Sequence, residues 1–203
     1  MLKPGNLPLD APAADPDVQL MLRFRDGDEE AFRELFEKHA RAIVNFAYHF
    51  VGSQTRAEEL AQDVFLQIYR AGPRYEPQAK FTTWLYRIAT NACLNEVRRP
   101  EHRYKKRPLE YQPDDRSKRT EIAFADPRAV PGDDALAGRQ LEAKIREVLA
   151  KLPENQKAAL VMSRVEGMSY REVAEALECS ESAIKSLVFR ATATMRKELA
   201  EFL

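Results

Sequence analysis

Two cysteines, three histidines and seven glycines are all that this 203-residue chain carries of those residue types. Cys93 and Cys179 are too few for a disulfide framework and lack metal-ligand spacing. His39, His49 and His102 are scattered, so no Cys/His set reads as a zinc site. No glycine-rich phosphate loop accompanies the clustered acids, which fall on helix faces. No catalytic residue, no metal ligand and no cofactor is therefore assigned, and an enzyme is not expected. No apolar run approaches the ~20 residues of a membrane span. The first 16 residues hold one Lys and four Pro around no apolar core, unlike a signal peptide. The expected location is cytoplasmic, without membrane insertion. Net charge is missing too: 32 basic against 32 acidic residues sum to zero. Such a balance ordinarily argues against a nucleic-acid partner, unless charge is segregated along the chain.

What the chain does have is enough apolar residues for a core, 44%, close to the globular norm. Proline marks its divisions. Nine of the 12 prolines lie at 4, 8, 12 and 16 and at 100, 108, 113, 127 and 131. The pattern predicts a floppy tail (1–16), a helical domain (17–99), a linker (100–135) and a second helical domain (136–203). A structureless stretch of that length is foreign to the inside of a compact domain, which favours two domains.

The fold class is all-α. A helix starts at Asp28-Glu-Glu-Ala, with Phe32, Leu35, Phe36, Ile43, Phe46 and Phe50 as its apolar face. Thr55-Arg-Ala-Glu58 reads as a capping box ahead of Leu60, Val64, Phe65 and Ile68. Pro73 and Pro77 bracket a loop, and Phe81 to Val97 reads as a helix. Leu141 to Leu152 is a further helix. Pro153 suits the first turn of the next, and Gly167 its end. Ser169-Tyr-Arg-Glu172 is a second capping box, and a last helix runs from about Glu181 to Leu199.

Counted by segment, the zero charge dissolves. Residues 26–63 hold four basic and nine acidic residues; residues 70–107 hold ten basic and three acidic. Residues 166–184 hold one basic and five acidic residues; residues 185–197 hold four basic and none acidic. Each half is thus an acidic segment followed by a basic one. A basic face suits phosphate, and an acidic face suits a basic protein partner.

Residues 169–199 lay out helix, turn, helix. On the second helix Ile184, Leu187, Val188, Ala191 and Met195 share one face. Ser182, Lys185, Ser186, Phe189 and Arg190 share the other. A helix-turn-helix reads the major groove with such a face. Phe189 is open between a thymine-methyl contact and packing on the first helix. In the first half, Arg70 to Arg99 interleaves cations with aromatic rings, the mixture that grips single-stranded nucleic acid. There Trp84 reads as core, Phe81 is open between core and stacking, and Tyr75 reads as an exposed ring. Glu58, Glu59, Gln62, Asp63 and Gln67 form a polar helix face opposite Leu60, Val64 and Ile68.

These pieces resemble the extracytoplasmic-function (ECF, group IV) class of the sigma-70 family. The carrying segments are Asp28-Glu-Glu-Ala-Phe32, Ala57-Glu-Glu-Leu-Ala-Gln-Asp-Val-Phe65, Phe81-Thr-Thr-Trp-Leu-Tyr-Arg-Ile-Ala-Thr-Asn91, Leu152-Pro-Glu-Asn-Gln156, Gly167-Met-Ser-Tyr-Arg-Glu-Val-Ala174, Ala183-Ile-Lys-Ser186 and Phe189-Arg-Ala191. The resemblance implies region 2 over 17–99 and region 4 over 136–203, joined by a flexible linker. It implies core RNA polymerase, promoter DNA and an anti-sigma factor as partners. Glu58, Glu59, Gln62 and Asp63 would meet the polymerase clamp helices. Tyr75, Lys80, Phe81, Arg87, Asn91 and Arg98 would read and melt the minus-ten element. Ser182, Lys185, Ser186, Phe189 and Arg190 would read the minus-thirty-five element, with this half also touching the polymerase flap. Two departures touch specificity: the loop Tyr75-Glu-Pro-Gln-Ala-Lys80 lacks the Gly and Ser common there, and Leu187 stands where a base often follows Lys-Ser. A free-standing helix-turn-helix regulator is the alternative.

Overall fold

The computed structural model describes residues 15–99 and 133–202. The expected tail as far as residue 14 and the linker from 100 to 132 lie outside the described residues. Among the described residues there are eight α-helices and no strand. They are α1 (Pro16–Arg25), α2 (Glu29–Val51), α3 (Gln54–Ala71), α4 (Phe81–Arg98), α5 (Asp133–Lys151), α6 (Glu154–Arg164), α7 (Tyr170–Ala176) and α8 (Glu181–Glu198).

Local chemistry sets most of the ends. The Asp28 carboxylate accepts the N–H groups of Glu30 and Ala31 and starts α2, satisfying donors that a helix start leaves orphaned. Gly52 ends α2 at φ +67°, a left-handed conformation that glycine adopts without steric cost. The capping box at Ser169 and Glu172 is complete in both directions. The one expected at Thr55 is not formed. Helix α3 begins two residues earlier, capped by Ser53, and Thr55 lies inside it. Helix α5 reaches back to Asp133, ahead of the expected start at Leu141. Helix α1 was not legible as a separate element. Asp15, expected in the floppy tail, is its N-cap and accepts the N–H of Asp17 at 3.0 Å.

In the first half α1 to α4 pack around Val18, Met21, Leu35, Ile43, Phe46, Ile68, Phe81 and Leu85, all essentially without exposure. Phe36, expected on the buried face of α2, is 41% exposed. Its ring lies edge-on to Phe65 at 4.9 Å and marks the rim of the apolar stripe. Helix α1 is pinned by a buried carboxylate. Asp17 Oδ1 accepts Lys38 Nζ at 2.6 Å, and its Oδ2 lies 2.8 Å from His39 Nε2. Burial pushes this carboxyl up, but the hydrogen bonds from His39 and Lys38 together outweigh it and hold it below the usual range.

The second half packs α6, α7 and α8 around Met162, Val173, Ile184 and Val188. The two halves meet along a seam in which α4 lies against α7, and α2 against α5 and α6. Buried apolar residues of both halves form one continuous cluster. Polar contacts also cross the seam. Tyr86 donates to Glu166 at 2.5 Å and Arg146 to the Tyr48 hydroxyl at 2.9 Å. Lys157 is almost buried, with its ammonium 5.5 Å from the centre of the Phe50 ring.

Candidate nucleic-acid and polymerase interfaces

Helix α3 buries Ala57, Leu60, Ala61, Val64, Phe65 and Ile68. That periodicity forces Glu58, Glu59, Gln62 and Asp63 outward, and all four are exposed. Leu66, on the same open side, is 50% exposed. Sequence reasoning missed it, because a lone leucine in a helix reads as core. Its signal was its place outside the i, i+3, i+4 stripe.

The loop after α3 folds as a 3-10 turn, Gly72–Arg74, and opens a cleft of about 670 Å³ toward α4. Arg70, Arg74, Tyr75, Glu76, Gln78, Thr83, Trp84 and Arg87 line it, with Glu175 arriving from α7. Tyr75 was expected as an exposed ring and is 6% exposed. Its ring packs 5.0 Å from that of Trp84, since the 3-10 turn bends the loop back onto α4. Burial, with Asp15 nearby, pushes its phenol up to about 12, so it stays a neutral donor. Phe81 is fully buried, against His39 and Trp84, which places it in the core. Trp84, read as core, is half-buried and forms the cleft wall. The hydroxyls of Tyr75 and Thr83 are buried without a hydrogen-bond partner. Both hydroxyls lie beneath the cleft wall, whose charged lining is three arginines and two glutamates. Spacing in the sequence does not separate Thr83 from Thr82; the fold buries Thr83 and leaves Thr82 partly exposed. Lys80, Arg87, Asn91 and Arg98 lie partly or fully exposed along α4; the structure thus joins Tyr75 to Arg87 in one cleft and leaves Asn91 and Arg98 farther along the helix.

In the second half Ser180 caps α8 by accepting the N–H of Ala183. Ile184, Val188 and Ala191 are buried, which turns Ser182, Lys185, Ser186, Phe189 and Arg190 outward. Phe189 is 75% exposed; it does not pack on the preceding helix. Lys185 reaches back to Glu181 at 3.3 Å, an exposed i, i+4 pair, worth little and easily exchanged for phosphate.

Comparisons with known proteins agree with this geometry. Residues 35–103 match the family model for sigma-70 region 2, and residues 142–195 that for sigma-70 region 4. The first half and the helix-turn-helix therefore define a bacterial initiation factor of the sigma-70 type. An RNA polymerase sigma-H factor of Pseudomonas aeruginosa is 30% identical over 203 residues, 93% of this chain and 96% of its own. CarQ, an RNA polymerase sigma factor of Myxococcus xanthus, is 32% identical over 89% of this chain and 96% of its own. The ECF sigma factor SigM of Mycobacterium tuberculosis is 30% identical over 90% of this chain and 84% of its own. The solved structure of CnrH with the cytosolic domain of CnrY has a similar fold, with TM-score 0.67 and 23% identity over 92% of this chain and 99% of that one. This chain belongs to the ECF class of the sigma-70 family of RNA polymerase sigma factors. The free-standing regulator is not favoured by these matches. No helix among the described residues is long and apolar enough to cross a membrane.

Proposed function

We propose that the two halves divide promoter reading between them. The first half, 17–99, docks on core polymerase through Glu58, Glu59, Gln62, Asp63 and Leu66 of α3, and it reads unstacked minus-ten bases along α4. The second half, 136–203, reads the duplex minus-thirty-five element through Ser182, Lys185, Ser186, Phe189 and Arg190, and it contacts the polymerase flap. The protein has no chemistry of its own and works in the cytoplasm. The linker 100–135 sets no base contact in this reading. The sigma factor RpoE of Bartonella quintana has a similar fold, TM-score 0.60 at 20% identity, and was solved with the anti-sigma factor NepR. An anti-sigma partner is proposed here on that analogy.

The observation that carries the reading is the cleft between the 3-10 turn and α4. It combines three arginines and two glutamates with a half-buried tryptophan. A flipped base meets there a ring to stack on and cations for its phosphates, which offset the few kcal/mol of unstacking. Asn91, exposed farther along α4, and Lys80, Arg87 and Arg98 extend the track. The test is transcription from a cognate promoter with reconstituted holoenzyme. Asn91→Ala is expected to reduce open-complex formation while leaving core polymerase binding intact. Normal promoter opening by that variant removes Asn91 from the reader.

A further inference from the structure

Two charged side chains of the first half sit at the wrong ends of their helices. Arg56 is in the first turn of α3, where no acidic residue accompanies it. A cation there faces the positive end of the helix dipole. Glu96 is in the last turn of α4, where a carboxylate faces the negative end. Each is unfavourable on its own helix, and each answers the other. Arg56 Nε donates to Glu96 Oε1 at 2.7 Å, across 40 positions of sequence. The Glu96 side chain is only 3% exposed, and Arg99, the C-cap of α4, lies 3.2 Å from its other oxygen. Buried ion pairs can often be replaced by apolar side chains without loss of stability, so stability does not account for this one. What it fixes is register: the start of α3 against the end of α4.

The same guanidinium has a second partner. Its Nη1 donates to Glu59 Oε2, one turn along α3. Glu59 is half exposed and stands on the outward face with Glu58, Gln62 and Asp63. The planar fork of arginine holds two carboxylates at once, which the point charge of a lysine does not reproduce. Arg56 therefore stands between the face read as docking on polymerase and the helix read as the minus-ten reader. Its two pairs differ in kind. The Glu96 pair is desolvated, and removing one side of it leaves a buried charge uncompensated. The Glu59 pair is exposed, worth little and easily exchanged. A basic group arriving at Glu59 takes that carboxylate and leaves Arg56 to Glu96.

We propose that Arg56 is a positioning residue that couples polymerase docking to the seating of α4: a basic polymerase side chain that engages Glu59 releases Arg56 to Glu96, and the end of the reading helix is thereby fixed for promoter opening. The inference rests on the reading of α3 as the docking helix and of α4 as the reader, and adds the link between them. Arg56 touches neither DNA nor polymerase in this scheme. It acts through Glu96, on the helix that carries Arg87, Asn91 and Arg98.

The experiment uses the full chain with core polymerase and measures two quantities: core affinity, by anisotropy of the labelled chain, and promoter opening at saturating polymerase, by permanganate footprinting. Arg56→Gln is expected to keep core affinity within about threefold and to reduce opening about tenfold. Arg56→Lys, which keeps a charge for Glu96, is expected to recover about half of the loss. Arg56→Gln combined with Glu96→Gln leaves no buried charge unpaired. It is expected to fold and to show the same opening defect, so the outcome does not hang on the stability of Arg56→Gln alone. Ile43→Val, in the core of the first half, is the stability control; it is expected to lower the melting temperature with opening at saturation unchanged. Unchanged opening in Arg56→Gln and in the double variant overturns the coupling. A loss of opening matched by an equal loss of core affinity, or reproduced by Ile43→Val, overturns it as well, because unfolding then explains both. Glu59→Gln separates the two levels. If it weakens core binding about tenfold, the docking face stands and a negative result for Arg56 removes the link alone; if it changes nothing, the docking face itself is misassigned and the link falls with it.

Discussion

The backbone N–H of Phe81 donates to the carboxylate of Asp15 at 2.9 Å, across 66 positions of sequence. The other oxygen of the same carboxylate caps α1. Lys80, the N-cap of α4, offers no side-chain acceptor. One carboxylate thus starts two helices, and Asp15 seats α4 against α1. Asp15→Ala is expected to lower stability by about 1–3 kcal/mol, the sum of two caps. Asp15→Asn, which keeps an acceptor, should lose less. Urea midpoints of the three proteins measure it. An unchanged midpoint in Asp15→Ala would show that the contact contributes nothing.

Gly72 tests how tightly the 3-10 turn is seated. A Cβ there would stand 2.2 Å from Phe24 Cε1. The Phe24 ring is buried and stacked within 5.1 Å of both Phe32 and Tyr69, so it has little room to yield. Gly72→Ala is expected to cost about 1–3 kcal/mol as an overpacked site. Because the turn floors the cleft, binding of single-stranded DNA by holoenzyme should weaken with it. Calorimetric melting reads the first effect and promoter opening the second.

His49 gives the seam a pH dependence. Burial, and secondarily the nearby Lys157, hold its pKa below 6.5. Its Nδ1 is buried without a partner. For a base with a lowered folded pKa, stability is fully present above the ordinary value near 6.5 and is lost as pH falls through the lowered one. Glu166 acts in the opposite sense. Burial raises its carboxyl, against the hydrogen bond from Tyr86, so its contribution fades as pH rises. The readout is therefore the difference between wild type and His49→Gln. Between pH 7.5 and 5.5 the wild type should lose more stability than the variant. Parallel curves would remove His49 as the titrating group.

Lys185 and Arg190 stand on the open face of α8 and are both exposed. Replacing both by alanine is expected to reduce use of the upstream promoter element. The slope of log affinity against log salt should flatten by about 2, one phosphate contact for each charge. Footprinting over the upstream element at several salt concentrations measures this. Retained protection with an unchanged slope would move the reader elsewhere.

The buried faces were the legible part. Leu60, Val64 and Ile68, or Ile184 and Val188, follow helical periodicity, and burial obeyed it. The exposed faces of α3 and α8 followed by subtraction. Tyr75 was misread because its prolines signalled a loop, while the loop's path back onto Trp84 is a tertiary fact. Phe81 and Phe189 could not be separated by type or spacing; one is fully buried and the other 75% exposed. Helix α1 was hidden by the proline-rich stretch ahead of it, although Pro16 is favourable in a first helical turn. The pairing of Lys80 with Glu172 joins residues that no local pattern connects. The charge polarity of the two halves was visible in the composition. That the halves use it on one another needed the fold.

The seam between the halves is held by an unbroken apolar cluster and by ion pairs. These two bonds answer to different conditions. Salt screens the ion pairs and leaves apolar burial in place, whereas cooling weakens apolar burial. Low temperature and high salt would therefore loosen the same joint by separate routes. The joint thus carries two separable sensitivities, one to ionic strength and one to temperature.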